Sequence, residues 1–401
     1  MKDGRSRDTL EAVGSNRDTG KEPNLARGPA ASLLQQLVRT PSVNPWEGSG
    51  AAEAQIAESV AAWLAQAGLK VEIETVLPGR PNVLGRVAGR DRSRIFLLES
   101  HMDTVDVAGM TIDPYAGEIR GGRLYGRGAC DAKGPLAAMM LAVAELARGE
   151  RPPVDVMLAA VMDEEYRYRG VSALLRRGEP FVAAIVGEPT ELDLVIAHKG
   201  CVRFPVTTHG RACHSSMPWD GDNAIMRMAD LLQFIRREVE PEAAAKIHPR
   251  VGPATLCVSL ITGGSTLNTV PSACTIQVDR RTIPGEEPLE VWSEYRERFQ
   301  ALAPGFVTVG EPSVVDYAMD TDPGEPMVER LAEAVREAGL PGAVRGVNYG
   351  TDASKLARAG IPSLVFGPGS IRQAHGDEEY IELGQVEAAV SILVRAIRAF
   401  A

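Results

Sequence analysis

Residues 95–103 read IFLLESHMD, an apolar run followed by a histidine and an aspartate. The run is typical of a buried strand, and in α/β sheets ligands bind at the carboxyl ends of the strands. His101 can offer an imidazole to a metal ion there, while Asp103 can accept the other ring N–H. The alternative is a strand-end histidine bonded only to a loop, because His-x-Asp alone is a weak signal.

Similar apolar runs recur along the chain and alternate with amphipathic segments. Val154–Met162 and Ala183–Val186 are strand-like, whereas Ala137–Ala147 has the composition of a buried helix. Strand and helix alternation predicts an α/β domain with a central, mostly parallel sheet flanked by helices.

The pattern changes in the middle of the chain. Residues 201–310 follow a β-α-β-β-α order, which favours an inserted α+β unit of ferredoxin-like type. We therefore expect a catalytic domain at 29–200 and 311–401 and a lid or dimerisation domain at 201–310. Residues 1–28 are polar, without an apolar period, and are predicted to be a disordered tail.

Composition narrows the function classes. The 401 residues are 44% hydrophobic and carry a net charge of −10, so the chain is globular. The negative charge argues against nucleic acid and anionic membrane as main partners, and no apolar run has the length of a membrane span. Five cysteines without a CxxC motif favour a reducing cytoplasm.

Four further motifs carry candidate metal ligands. Asp131 lies in a glycine-dense turn, Glu164 and Glu165 follow one strand, and Glu188 follows another. His375 comes late, after a Gly-Pro-Gly loop. Each motif also has an alternative that involves no metal. Asp131 could be a helix N-cap, Glu164 and Glu165 an acidic loop, Glu188 part of a turn, and His375 a structural histidine.

Taken together, these motifs predict a dinuclear site. Two histidines and three carboxylates would give each of two divalent ions one histidine, one terminal carboxylate and a shared carboxylate. Such a mixed N/O set suits zinc, cobalt or manganese, and a pair of these ions activates water and polarises a carbonyl. The predicted ligands are His101, Asp131, Glu165, Glu188 and His375.

The order of the motifs resembles the M20 metallopeptidases. It runs His-x-Asp, Gly-x-Cys-Asp-x-Lys-Gly, Asp-Glu-Glu, Gly-Glu-Pro-Thr and Ala-His, and the resemblance extends from about Leu33 to Phe400. It implies an amidohydrolase with two metal ions, zinc first and cobalt as an alternative. His101 and Glu188 would bind one metal, Glu165 and His375 the other, and Asp131 would bridge them.

The same resemblance implies roles for residues that bind no metal. Glu164 would be the general base and Asp103 would orient His101. His214, in the Gly-Arg-Ala-Cys-His-Ser-Ser motif, would stabilise the oxyanion in a neighbouring subunit, which implies a homodimer. Asn268 and Arg281 would contact substrate.

Arg281 would hold a substrate carboxylate, with Arg280 as the competing candidate.

The implied reaction is removal of an acyl group from an amino acid that has a free carboxylate. Acetylornithine deacetylase is the nearest likeness. Succinyl-diaminopimelate desuccinylase, a carrier-protein lysine or ornithine hydrolase, and a glutamate carboxypeptidase remain alternatives. A metal-dependent binding protein on the same fold is the non-enzyme alternative, and Glu164 argues against it because a binder needs no base beside its ligands.

Overall fold

The computed structural model describes residues 28–46 and 52–400. The expected disordered tail, residues 1–28, therefore lies outside the described residues except for Gly28.

The helices and strands form three consecutive segments. The first contains α1 (Pro29–Val38), α2 (Ala54–Gln66), β1 (Lys70–Leu77), β2 (Arg80–Val87), β3 (Asp91–His101), β4 (Glu118–Arg120), β5 (Arg123–Tyr125), α3 (Lys133–Arg148), β6 (Val154–Val161), α4 (Arg169–Arg176), β7 (Phe181–Val186) and β8 (Leu194–His198). The second contains β9 (Gly200–His209), α5 (Ala224–Phe234), α6 (Glu240–Ala245), β10 (Ile247–His248), β11 (Gly252–Pro253), β12 (Thr255–Gly263), β13 (Ala273–Thr282), α7 (Pro288–Leu302), β14 (Val307–Val309) and β15 (Val314–Asp316). The third contains β16 (Met319–Asp320), α8 (Pro326–Glu337), β17 (Val344–Val347), α9 (Ala353–Arg358), β18 (Ser363–Val365), β19 (Tyr380–Glu382) and α10 (Leu383–Ala399).

The first and third segments share one mixed sheet. Its order is β1-β2-β6-β3-β7-β18-β8-β16, with β17 also paired to β8. The centre, β6-β3-β7-β18, is parallel, whereas β1, β2 and β16 pair antiparallel towards the edges. The predicted α/β class is confirmed, and the sheet is parallel where the strand-end motifs lie.

Helices cover both faces of this sheet, which explains why its central strands are apolar throughout. All eight residues of β6 are buried. The apolar side chains of α1, α2, α3, α8 and α10 pack on one face, and those of α4 and α9 pack on the other. A parallel strand covered on two sides loses the polar–apolar alternation of a half-exposed strand.

The second segment forms its own antiparallel sheet. The order β12-β13-β9-β14 and the β-α-β-β-α-β succession are those of a ferredoxin-like unit, as the sequence predicts. Helices α5 and α7 pack on one face around Phe204, Trp292 and Phe299. This inserted unit runs from Gly200 to Asp316, because β15 also pairs with β9; the expected lid boundaries of 201–310 stay a prediction.

Within residues 28–46 and 52–400, no helix combines the length and apolar character that crossing a membrane requires.

One histidine is buried where the sheet meets the inserted unit. His198 ends β8 with no exposed surface. Its Nδ1 lies 2.9 Å from the carbonyl oxygen of Lys199 and its Nε2 lies 3.3 Å from Thr351 Oγ1, contacts that a neutral imidazole can satisfy. Burial lowers the pKa of His198 to about 4.

This burial predicts an acid sensitivity of the fold. An unfolded histidine has a pKa of about 6.5, so below that pH the unfolded chain gains a proton that folded His198 refuses until about pH 4. The contribution of neutral His198 to the free energy of unfolding is therefore fully present above pH 6.5, and it is lost as the pH falls from 6.5 to about 4. Between pH 7.5 and pH 5.0, we expect the free energy of unfolding of wild type to fall by about 2 kcal/mol more than that of His198→Gln. Urea titrations at the two pH values measure both changes. Exposed His209 supplies the control, His209→Gln; an equal loss in wild type and His198→Gln would contradict the prediction.

Candidate metal centre and active site

Three neighbouring parallel strands deliver the candidate ligands to one edge of the sheet. His101 is the last residue of β3, Glu164 and Glu165 follow β6, and Glu188 follows β7. Because β3 lies between β6 and β7, their carboxyl ends bring these side chains together.

The fourth carboxylate bridges the two histidines. Asp131 Oδ1 lies 3.1 Å from His101 Nε2, and its Oδ2 lies 3.3 Å from His375 Nε2. His375 Nε2 is also 3.1 Å from Glu165 Oε1, and His101 Nε2 is 3.7 Å from Glu188 Oε1. The structure therefore brings all five sequence-predicted ligands into one cluster, with Asp131 at its centre.

Two sets of donor atoms in this cluster are compact enough to hold an ion. In each set, one ligand atom per residue lies within 4.8 Å of the others. The sets are His101, Asp131 and Glu165, and His101, Glu164 and Glu188.

The electrostatics of the cluster favour a bound cation. Burial and neighbouring carboxylates raise the pKa values of Glu164 and Glu188 well above their usual range. Burial alone would lower the pKa of His101, but the hydrogen bond with Asp131 and the charge of Glu188 raise it well above its usual value. Hydrogen bonds to Asp131 and Glu165 raise the pKa of His375 to about 10. In the described residues, protons thus relieve a repulsion that divalent cations would also relieve.

The donor chemistry fits the same conclusion. Two imidazoles and carboxylates are ligands that zinc and similar divalent ions accept. His101 Nδ1 lies 2.9 Å from the carbonyl oxygen of Asp103, so this nitrogen donates its proton and leaves Nε2 free to face the carboxylates.

The side chain of Asp103 holds the loop that carries Glu164 and Glu165. The carboxylate accepts hydrogen bonds from the backbone N–H groups of Glu164, at 3.1 Å, and Glu165, at 3.2 Å. Its nearest oxygen is 3.7 Å from His101 Nδ1, farther than the main-chain carbonyl. The backbone carbonyl of Asp103 is therefore the closer partner of His101. The Asp103 carboxylate, which the sequence predicts to orient His101, instead binds the backbones of the two glutamates.

Asn44 is a site residue that sequence reasoning missed. Its buried amide donates to Asp103 at 2.8 Å and to Asp163 at 3.0 Å, and its oxygen accepts from the backbone of Trp46. Asp163 also accepts from Arg80. An asparagine in a Pro-rich stretch gives no sequence signal for this role, because its partners lie 59 and 119 residues away.

Lys133 and Asp131 do not pair, although they are two residues apart. Lys133 is fully buried and its Nζ donates to the carbonyl oxygen of Thr40 at 2.8 Å, while burial lowers the pKa of its ammonium to about 7. The N-cap of α3 is Ala132, without a side-chain cap, so Asp131 is not capping this helix.

A cavity of about 380 Å³ opens in front of the cluster. Its wall on the side of the cluster is formed by Asp131, Glu164, Glu165, Glu188 and His375. The inserted unit contributes to its other wall Cys201, Arg203, Arg281 and Val314. Aromatic side chains also line it, namely Trp46, Tyr166, Tyr168 and Tyr349.

The two candidate arginines differ in their surroundings. Arg280 is fully buried, and its guanidinium pairs with Glu286 at 2.7 Å without exposure to solvent. Arg281 faces the cavity and pairs with Asp279 at 2.8 Å.

His214 and Asn268 lie together, apart from the cavity lining. His214 is exposed, its Nδ1 is 2.7 Å from Ser216 Oγ, and it forms a bridge with Thr269. The carbonyl oxygen of Asn268 accepts a hydrogen bond from Ser215 at 3.0 Å. Within one chain, the structure thus separates these two candidates from the metal cluster.

Curated relatives cover most of the chain. An acetylornithine deacetylase of Myxococcus xanthus is 32% identical over 319 residues, which is 78% of this chain and 82% of the relative. A probable carboxypeptidase of Aspergillus clavatus is 30% identical over 393 residues, covering 92% of this chain and 88% of the relative.

Solved structures share the fold. An M20 family metallo-carboxypeptidase from Sulfolobus solfataricus has a TM-score of 0.75 at 17% identity, covering 92% of this chain and 99% of the other. A dinuclear metal-binding M20 peptidase from Bacillus subtilis has a TM-score of 0.66 at 15% identity, covering 92% and 98%.

Residues 97–399, which hold all five predicted ligands and the base candidate, match one family description along their whole length. The chain is an amide-bond hydrolase of the peptidase family M20/M25/M40, a family of dinuclear metal-dependent enzymes.

Proposed function

We propose that this enzyme removes the acyl group from an N-acyl amino acid, with N-acetylornithine as the first candidate substrate. The observation that carries the proposal is Glu164, a carboxylate that lines the cavity beside the ligand cluster. The acetylornithine deacetylase relative supports the acyl amino acid class.

The ligands divide as the resemblance implies. We assign His101 and Glu188 to one ion, Glu165 and His375 to the other, and Asp131 to both. Zinc is the proposed metal, and cobalt is the alternative. When bound, the two ions supply Lewis-acid polarisation of the scissile carbonyl and a more acidic attacking water.

Glu164 moves the proton. One carboxylate oxygen accepts a proton from the attacking water and later donates it to the leaving nitrogen of the amine. Burial and the charge of Glu165 favour its protonated form, and the cationic environment of the loaded site offsets this. The hydrogen bonds from the backbones of Glu164 and Glu165 to Asp103 keep the loop in place during the transfer.

Arg281 is the proposed partner of the substrate carboxylate, because it faces the cavity whereas Arg280 is buried in a pair with Glu286. A guanidinium holds a carboxylate through two parallel hydrogen bonds. Asn268 is the other proposed substrate contact and requires the inserted unit to approach the cavity.

A carboxypeptidase-like peptidase is the second candidate function. Trp46 and Tyr166 meet edge to face at 5.3 Å and, with Tyr349, give the cavity an aromatic wall that suits a larger apolar residue. The carboxypeptidase relative supports this candidate.

The substrate assignment predicts a ranked set of rates. With zinc or cobalt bound, we expect purified enzyme to release ornithine from N-acetylornithine faster than it cleaves N-succinyl-diaminopimelate or a glutamyl dipeptide. Replacing the substrate α-carboxylate by a carboxamide should raise KM at least tenfold, because Arg281 loses its bidentate partner.

Glu164→Gln should lower kcat by 10²–10⁴-fold with two ions still bound, as expected for loss of a general base.

Glu311→Gln removes the same charge from an exposed loop and should keep wild-type turnover. Faster cleavage of peptides than of N-acetylornithine would favour the second candidate. Full activity of Glu164→Gln would contradict the assigned base, and metal binding without hydrolysis of any amide would favour a binding protein.

We further propose a homodimer in which His214 of one subunit serves the active site of the other. His214 is exposed and lies outside the cavity lining of its own chain. The same unit presents exposed apolar side chains on β12 and α5, Leu260 at 65%, Ile261 at 57% and Met226 at 63% exposure. An apolar surface of this kind suits contact with a second copy.

Mixing two inactive variants tests this arrangement. His214→Ala and Glu164→Gln should each bind metal and lose most turnover. In mixed dimers, one site would combine an intact Glu164 with an intact partner His214, so co-expressed subunits should recover about a quarter of wild-type activity.

His209→Ala, which removes an exposed histidine of the same unit, serves as the control and should remain active alone. No recovery in dimers proved to be mixed would contradict a role across the interface. A fully active monomer by size-exclusion chromatography with light scattering would contradict the dimer itself.

A further inference from the structure

A buried carboxylate lies directly behind the bridging aspartate. Glu379 is fully buried, and its Oε1 accepts hydrogen bonds from the backbone N–H groups of Cys130, at 2.8 Å, and Asp131, at 3.0 Å. Its Oε2 accepts from the N–H of Gly128 at 2.9 Å and from Arg127 Nη1 at 2.8 Å. All four donors belong to the loop that carries Asp131.

Glu379 also belongs to the chain segment that carries His375, four residues earlier. Its backbone carbonyl accepts from the N–H of Gly126 at 3.0 Å, so the main chain joins the same two loops. One residue thus fastens the Asp131 loop to the His375 loop. The ligand side chains that these two loops carry lie 3.3 Å apart, measured from Asp131 Oδ2 to His375 Nε2.

The chemistry of this contact requires an ionised carboxylate. Two carboxylate oxygens provide enough lone pairs for four N–H donors. A glutamine of the same size would turn an NH₂ group towards two of these donors, and a buried N–H without an acceptor is costly. All four partners of Glu379 are N–H donors, so the charged carboxylate is the form that this set of contacts fits. Burial and the charge of Asp131 nevertheless leave the pKa of Glu379 raised, and the three amides of the loop oppose that shift.

We propose that Glu379 is a positioning residue for the metal centre: it sets the separation of Asp131 and His375 and thereby the affinity of the ion that these two residues share with Glu165. The proposal rests on the proposed ligand assignment but not on the substrate. Glu379 lies behind the ligands, does not line the cavity and touches no reacting atom.

A purely structural role makes a different prediction. If Glu379 only stabilised the fold, its loss would lower the unfolding temperature and leave both metal affinities unchanged in the folded protein. A positioning role lowers the affinity of the ion held by His375 more than that of the other ion. Glu379 joins the loops of both Asp131 and His375, whereas the other ion shares only Asp131 with this contact. Metal titration of folded protein therefore separates the two.

The test is a cobalt titration of metal-free Glu379→Gln, followed by calorimetry and by the visible absorption of bound cobalt. His375→Ala identifies which binding step belongs to the ion held by His375. We expect Glu379→Gln to weaken that step 10–100-fold, the usual effect of losing a group that orients a ligand, and to change its cobalt spectrum. The other step should shift by less than about threefold.

Glu378→Gln is the matched control, because it removes the neighbouring, exposed carboxylate and should leave both steps unchanged. Equal weakening of both steps, or no weakening in folded protein, would overturn the proposal. Should Glu379→Gln fail to fold, Arg127→Gln removes one of the four donors and keeps the carboxylate. It should weaken the same step by a smaller factor, and no change there would equally overturn the proposal.

Because these measurements need no substrate, they remain decisive if the proposed deacylase activity fails. Loss of the selective metal effect with normal N-acetylornithine hydrolysis would instead reject the positioning role alone.

Discussion

Repulsion among carboxylates at the carboxyl edge of the sheet is the constraint on which the site depends. Asp131, Glu164, Glu165 and Glu188 all face one cavity, and three of them have pKa values raised by burial. Like charges in a buried cluster are costly without protons or cations. Parallel strand order creates this cost by placing β3 between β6 and β7, and divalent metal binding turns the same crowding into affinity.

The loops around the cluster resist that repulsion through their backbones. Asp103 accepts hydrogen bonds from the backbone N–H groups of Glu164 and Glu165, and Asn44 donates a hydrogen bond to Asp103. Glu379 accepts from the amide of Asp131 on the other side. In both places a buried carboxylate that faces away from the cavity binds main-chain N–H groups, so the ligand-bearing segments are fixed without using the ligand side chains themselves.

The sequence predicts the parts of the site that depend on local order along the chain. His101 ends an apolar strand, and Glu165 and Glu188 follow two others, which predicts a sheet edge with ligands because strand ends meet at one edge. The meeting of His375 with Asp131 rests instead on contacts 244 residues apart, and only the family resemblance anticipates it. Asn44 and Glu379 escape prediction for the same reason: their partners lie 59 and 248 residues away, so neither has a local pattern.

The residues of the inserted unit that are proposed to serve the active site lie at opposite ends of its sheet. Arg281, on β13, reaches the cavity of its own chain, because β13 pairs with β9 where the unit joins the sheet. His214 and Asn268 lie beyond the far end of those strands, where His209 pairs with Ala273. The strand length of about ten residues, or roughly 33 Å, keeps these ends apart. In this structure the two ends of the sheet therefore stay apart, and His214 and Asn268 would reach a metal centre only through movement of the inserted unit or from the proposed second copy.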